Sequence, residues 1–165
     1  MHKTFQNAIG GFHQKILGKI KGWEDLGSGN VVDIVNHEKK IIVEIKNKYN
    51  TIKGNHKVAI YDDIDLILKD KYIGYTGYYV AIIDKKRINL SFTPPDNKTK
   101  TRRKENQYIR QVGGKTFYTI ATGNENAIEM IYQIVPKIIS DIIGASDTNI
   151  SKSSLFTEFF EKSFK

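Results

Sequence analysis

Cysteine is absent from the 165 residues, which excludes disulfides, thiolate zinc sites and a cysteine nucleophile. No apolar run approaches about 18 residues, so no membrane-spanning helix is expected. The opening Met1-His2-Lys3-Thr4-Phe5-Gln6-Asn7 lacks the apolar stretch of a secretory signal. Both absences fit a cytoplasmic protein. No Gly-x-x-x-x-Gly-Lys-[Ser/Thr] motif occurs, so nucleotide hydrolysis is not expected. The four histidines, His2, His13, His37 and His56, lack zinc-ligand spacing. His13 is expected to hydrogen-bond in the core, and His56, near a helix start, is a weaker candidate for touching a partner. No internal repeat is visible.

Acidic residues are in deficit: 18 Asp and Glu stand against 26 Lys and Arg, leaving a net charge of +8. Such a surplus points to a polyanionic partner, most commonly nucleic acid. Its placement sharpens the point. Residues 85–115 hold ten Lys or Arg and two acids, Asp96 and Glu105, a surplus equal to that of the whole chain. Within it, Lys98, Lys100, Arg102, Arg103 and Lys104 form a dense run beside Pro94-Pro95. DNA-backbone binding is the functional reading, with ordering on binding; a solvated loop is the plain one.

The length suits one domain with a real core. Phe5, Ile9, Phe12, Ile16 and Ile20 recur at helical spacing and predict an amphipathic helix over 4–20, although Gly10-Gly11 interrupts it. A Gly-rich connection covers 22–30, where Glu24-Asp25 reads as turn chemistry. Two Val/Ile-rich strands, 31–36 and 40–47, flank a polar turn. A helix over 56–70 is expected to bury Val58, Tyr61, Ile64 and Leu68. Residues 77–84 read as a buried strand, 85–115 mostly as loop, 116–122 as a strand, and 125–143 as a helix kinked at Pro136. A polar linker over 144–154 precedes a short helix, about 154–163. Its stripe of Leu155, Phe156, Phe159, Phe160 and Phe164 suits docking on the core or a dimer contact. The expected fold class is α/β: a mixed central sheet flanked by helices in α-β-β-α-β-β-α order. The passage from 40 to 84 implies a right-handed crossover joining parallel strands. The chain divides into a domain over 1–150 and a tail over 151–165.

The chemistry concentrates in residues 31–46. With Glu38-Lys39 at the centre of an even-numbered turn, Asn36 faces Ile41 and Asp33 faces Glu44. Facing residues share one side, with Cβ atoms about 4.5–5.5 Å apart. Lys46 lies two residues beyond Glu44 and shares that side. The other side carries Val32, Ile34, Ile41, Val43 and Ile45, all apolar. Two facing carboxylates repel, and a divalent cation with hard oxygen ligands, Mg²⁺, relieves them. Lys46 can orient or deprotonate an attacking water, or donate to a phosphate. The plain alternative is a salt-bridged strand face. Against it, the acids interrupt strands that are otherwise apolar. Asn47, Lys48, Asn50, Thr51 and Lys53 follow directly and suit phosphate or base-edge contacts.

Asp33 with Glu44-Ile45-Lys46, between two helices, resembles the PD-(D/E)XK nuclease superfamily, although Val32 stands where the name has Pro. Further residues narrow the resemblance: Ala8-Ile9-Gly10, Phe12-His13-Gln14, Gly22-Trp23-Glu24-Asp25-Leu26-Gly27, Glu44-Ile45-Lys46-Asn47-Lys48-Tyr49-Asn50-Thr51 and Gly74-Tyr75-Thr76-Gly77-Tyr78-Tyr79. Over about 5–143, these resemble type II restriction endonucleases that cut GGNCC or GGWCC palindromes. The chain is expected to be shorter than those enzymes, the difference falling at the N-terminus. The resemblance implies Mg²⁺-dependent cleavage of double-stranded DNA by a homodimer, with a companion methyltransferase protecting the same site. It implies that Asp33 and Glu44 bind the metal and that Lys46 is the catalytic lysine. Two other readings are a repair or recombination nuclease on the same fold and a non-cleaving DNA-binding module.

Overall fold

The computed structural model describes residues 11–48, 54–84 and 89–134. A six-stranded sheet forms the middle layer, in the order β1-β2-β3-β4-β8-β5. Its strands are β1 (Glu24–Asp25), β2 (Ile34–Asn36), β3 (Ile41–Lys48), β4 (Thr76–Ile83), β5 (Asn89–Ser91) and β8 (Ile109–Gly113). β2 and β3 form an antiparallel hairpin, β3, β4 and β8 run parallel, and β5 returns antiparallel along β8. Strands β6 (Pro95–Asp96) and β7 (Thr101–Arg102) form a separate two-stranded ribbon. The helices are α1 (residues 11–17), α2 (Gly54–Lys69), α3 (Gly114–Thr122) and α4 (residues 127–134). The α/β class with a mixed sheet is as expected.

Both faces of the sheet are covered. On one face Ile34, Ile41, Val43, Ile45, Val80, Ile82 and Val112 pack with Leu17 of α1, Phe117, Tyr118 and Ala121 of α3, and Ala127 and Ile128 of α4. On the other face Val35, Ile42, Tyr79 and Ile109 pack with Tyr61 and Ile64 of α2 and with Phe92. Strand alternation divides β3 between the two layers, so its even-numbered residues face α2. The α2 layer sits very close to the sheet. A Cβ on Gly77 of β4 would lie 2.3 Å from Ile64 Cγ2, so only glycine fits beneath that helix.

Several expectations need correction. The stretch over 116–122 is helical, not extended. Gly114, Phe117, Tyr118 and Ala121 are the residues that α3 buries, which is helical spacing despite the strand-favouring Thr, Phe, Tyr and Ile. The strand expected there lies earlier, as β8, inside the basic segment. That segment is therefore not mostly loop, since β5 to β8 all fall within it. Val32 packs on the α2 side, not beside Ile34, because regular alternation begins only at Ile34. The 22–30 connection contains β1, paired with β2. Helical structure at the N-terminal end covers 11–17 and gives way to turns, and α2 begins at Gly54. Residues 1–10, Pro136, the 144–154 linker and the 154–163 helix lie outside the described residues. Among the described residues no helix is long and apolar enough to cross a membrane.

Candidate active site

The β2–β3 hairpin has the expected register. Ile34 pairs with Val43, Val35 with Ile42 and Asn36 with Ile41. The turn between them closes with Lys40 at φ 53° and with the Lys39 N–H donating to Asn36 Oδ1 at 2.7 Å. The regular ladder stops at Ile34: the Asp33 N–H donates at 2.8 Å to the carbonyl of Val43, the residue that already pairs with Ile34, so Asp33 and Ile34 share one partner. Asp33 meets Glu44 through its side chain, by a hydrogen bond between the two carboxyls. Its carboxylate turns back onto the neighbouring strand, where Oδ2 accepts the Ile45 N–H at 2.6 Å. Its own carbonyl accepts the Leu26 N–H at 2.9 Å, which ties it to the β1 turn.

Lys46 Nζ donates to Glu44 Oε1 in a close ion pair. The Glu44 side chain is only 13% exposed and that of Lys46 38%, so the acid is sequestered while the amine reaches solvent. Burial pushes the Glu44 carboxyl up to about 7; the charge of Asp33 adds to this and Lys46 partly offsets it. Burial also raises Asp33, against the Ile45 N–H and the Lys46 charge. The two carboxyls are hydrogen-bonded and both are raised, so the pair as a unit holds a proton more tightly than a free carboxyl does. Two half-buried carboxyls that ionise reluctantly, one in the middle of β3 and one just before β2, make a hard-oxygen donor pair that a divalent cation fits. No cluster of three or more His, Asp or Glu able to hold a metal occurs among the described residues, so water and a phosphate would complete the shell.

The structure adds residues that motif reading passed over. Register sets Tyr79 beside Glu44 and Gln111 beside Tyr79, so Glu44, Tyr79 and Gln111 form one row across three strands, with the Asp33 carboxyl hydrogen-bonded to Glu44 at its end. The Tyr79 phenol is buried without a hydrogen-bond partner among the described residues, and burial raises it to about 12, helped by Asp84 and Glu44. Only the pairing of β4 with β3 and β8 reveals this row. Asp25, read from the sequence as turn chemistry, does cap a turn by accepting the Gly27 N–H at 2.9 Å. Its charge also reaches Asp33. Gln14 of α1 links the two, donating to Asp25 Oδ1 at 2.8 Å and to the Asp33 carbonyl at 3.5 Å.

The other sequence candidates separate. Asn47 lies on β3 one residue beyond Lys46, so alternation sets it on the opposite face, and its Oδ1 is buried without a hydrogen-bond partner among the described residues. Lys48 ends β3; Asn50, Thr51 and Lys53 lie outside the described residues. Lys98, Lys100, Arg102 and Lys104 are exposed, whereas Arg103 is held in ion pairs with Asp62 and Asp96. His13 is fully buried, with Nδ1 2.8 Å from the Tyr118 hydroxyl and Nε2 3.2 Å from that of Tyr132.

Comparison with known proteins places the chain in a family. The Eco47II restriction endonuclease family matches residues 1–144. The chain belongs to that family. Among its relatives, the type II restriction enzyme Eco47II of Escherichia coli is 36% identical over 167 residues, covering 96% of this chain and 70% of the relative. The type II restriction enzyme Sau96I of Staphylococcus aureus is 31% identical over 168 residues, covering 98% of this chain and 64% of the relative. No solved structure matches the chain. Within this Eco47II-family chain, Asp33, Glu44 and Lys46 come together on a hairpin preceded by α1 and followed by α2.

Proposed function

We propose that this protein is a Mg²⁺-dependent type II restriction endonuclease that hydrolyses both strands of DNA at a short palindrome. The observation that carries the proposal is the meeting of Asp33, Glu44 and Lys46 on one face of one hairpin, in a chain of the Eco47II family. Asp33 and Glu44 would hold Mg²⁺. When bound, the cation supplies a lowered water pKa and compensates the charge that builds on the phosphate. The protein's own groups have separate tasks. The Ile45 N–H fixes the Asp33 carboxylate, and Asp33 and Lys46 bias Glu44 in opposite directions. The Lys46 amine, at the solvent edge, can orient the attacking water or donate to the scissile phosphate. Lys98, Lys100, Arg102 and Lys104 supply phosphate contacts, and Lys48, Asn50, Thr51 and Lys53, which follow Lys46 in the sequence, are further candidates for DNA contact.

A palindrome cut on both strands calls for two such centres, hence a homodimer. A methyltransferase acting on the same sequence would protect host DNA as a functional, not physical, partner. The test is incubation with phage DNA and Mg²⁺. Discrete fragments are expected, and Asp33→Ala, Glu44→Ala and Lys46→Ala should each abolish them while the circular dichroism spectrum is retained. Uncut DNA with the native protein, or normal cutting by Lys46→Ala, removes the proposal.

A further inference from the structure

The basic run contains three consecutive cations, Arg102, Arg103 and Lys104, and the fold treats them differently. Arg102 and Lys104 are exposed, and neither side chain has a hydrogen-bond or ion-pair partner among the described residues. Arg103 is fully engaged. Its Nε and Nη2 donate to Asp62 Oδ1 and Oδ2, each at 2.7 Å, and its Nη1 donates to Asp96 Oδ2 at 3.0 Å. Period-two alternation along an extended strand accounts for this division. Arg103 turns toward α2, which carries Asp62, and its two neighbours turn away.

The same contacts organise the ribbon's tip. Asp96 Oδ1 accepts the Lys98 N–H at 2.8 Å and the Thr99 N–H at 3.4 Å, while Oδ2 receives Arg103. The Thr99 and Thr101 hydroxyls lie 2.8 Å apart, and Lys100 sits at φ 59°, a backbone conformation that a lysine seldom adopts. Arg103 N–H donates to the Pro94 carbonyl at 3.0 Å, and Tyr61 of α2 donates to the Lys104 carbonyl at 2.8 Å. The tip is therefore built before any partner arrives, contrary to the expectation of a loop that orders on binding. Asn97, Lys98, Thr99, Lys100, Thr101 and Arg102 all project into solvent. α2, to which the ribbon is fastened, covers the same sheet face that carries Glu44 and Lys46.

We propose that the 94–104 ribbon is a preformed duplex-DNA arm, and that the Asp62–Arg103–Asp96 clasp positions it relative to the nuclease face. This rests on the reading of the protein as a DNA endonuclease. The arm's partner is double-stranded DNA, because Lys98, Lys100, Arg102 and Lys104 form a stripe of unneutralised charge on a two-stranded ribbon. Such a ribbon has dimensions that a major groove admits. Arg103 acts as a positioning residue: its charge is spent inside the protein, on two carboxylates.

Asp62→Ala discriminates sharply, because it removes a negative charge and so favours DNA by simple electrostatics. If Arg103 were a phosphate contact, freeing it would tighten binding. If the clasp positions the arm, binding weakens. The measurement is fluorescence anisotropy of the full chain, without metal, on a short labelled duplex carrying GGNCC, across a salt series. Asp62→Ala is expected to bind about tenfold more weakly, with a log K against log salt slope shallower by about 1–2, the loss of one or two phosphate contacts. Arg103→Lys keeps the charge but not the three-way fork and is expected to behave alike. Asp62→Glu should recover most of the affinity. In cleavage assays the loss should appear in KM, with kcat little changed. Unaltered or tighter binding by Asp62→Ala, or full affinity in Arg103→Lys, overturns the clasp while leaving a cutting enzyme intact. A native chain that neither binds nor cuts duplex DNA overturns the nuclease reading, and the arm with it.

Discussion

On the proposed reading Lys46 has two neighbours to serve, a DNA phosphate and a carboxyl at its own strand face. In the structure its amine contacts Glu44 and is the one positive influence holding that acid down against burial and against Asp33. Removing the amine therefore does more than delete the proposed catalytic group. In Lys46→Ala the Glu44 carboxyl rises further above 7, and a metal that needs ionised oxygens must displace a more tightly held proton. The expected outcome is a shift of the pH midpoint for Mg²⁺ or Mn²⁺ binding to higher values, by about one unit, read by calorimetry over a pH series. An unshifted midpoint would mean that Lys46 does not set the charge state of Glu44. This coupling could be foreseen in outline, because Glu44 and Lys46 fall on one side of a single strand, although Asp33 joins them through its hydrogen bonds to the Ile45 N–H and Glu44 and not by the regular register. The depth of burial could not, because it depends on α2 lying over the sheet.

Among the elements, legibility in the sequence followed the range of the interactions that decide each one. The β2–β3 hairpin and α2 have local signals, an apolar alternation and a three-to-four-residue stripe, and both stand close to where those signals put them. α3 was misread because Thr116-Phe117-Tyr118-Thr119-Ile120 favours a strand locally, and only burial of Gly114, Phe117, Tyr118 and Ala121 selects the helix. β8 and the 94–104 ribbon were hidden by charge. Arg110 and Arg103 look like loop residues until the sheet and α2 provide partners. Gly77 is the reverse case, a glycine inside a strand whose reason appears only when Ile64 is placed above it at a separation no side chain tolerates. Gly77→Ala should cost about 1–3 kcal/mol, since either α2 or the Ile64 rotamer must shift. Ile64→Ala in the same chain should return part of that loss, measured by urea unfolding of the two single variants and the double. Strict additivity would show that the helix does not rest on this contact.

At the scale of the whole molecule, two buried titrating groups on opposite sides of the sheet act against each other. His13 lies under α3 and α4, and burial lowers it from 6.5 to about 4. Its unfolded form binds a proton that its folded form refuses, so its contribution is present above 6.5 and is lost as pH falls toward 4. Glu44 lies under α2, and burial together with Asp33 raises it from 4.5 to about 7. Its folded form keeps a proton that its unfolded form releases, so its contribution is present below 4.5 and is lost as pH rises toward 7. Between 4.5 and 6.5 each slope is about 1.4 kcal/mol per pH unit, and the signs are opposite. The metal-free protein should therefore change little in stability across that window, with Asp33, also raised, adding to the Glu44 side. Glu44→Gln removes one slope and uncovers the other. That variant should lose about 2–3 kcal/mol on acidification from 6.5 to 4.5, while the native chain stays level. It should also exceed the native chain in stability above pH 7, where a reluctant carboxylate has become an amide. Denaturant melts in the presence of a chelator measure all three. A native chain as acid-sensitive as Glu44→Gln would mean that the acid pair is not the counterweight to His13, and that Glu44 ionises in the fold as freely as in an unfolded chain.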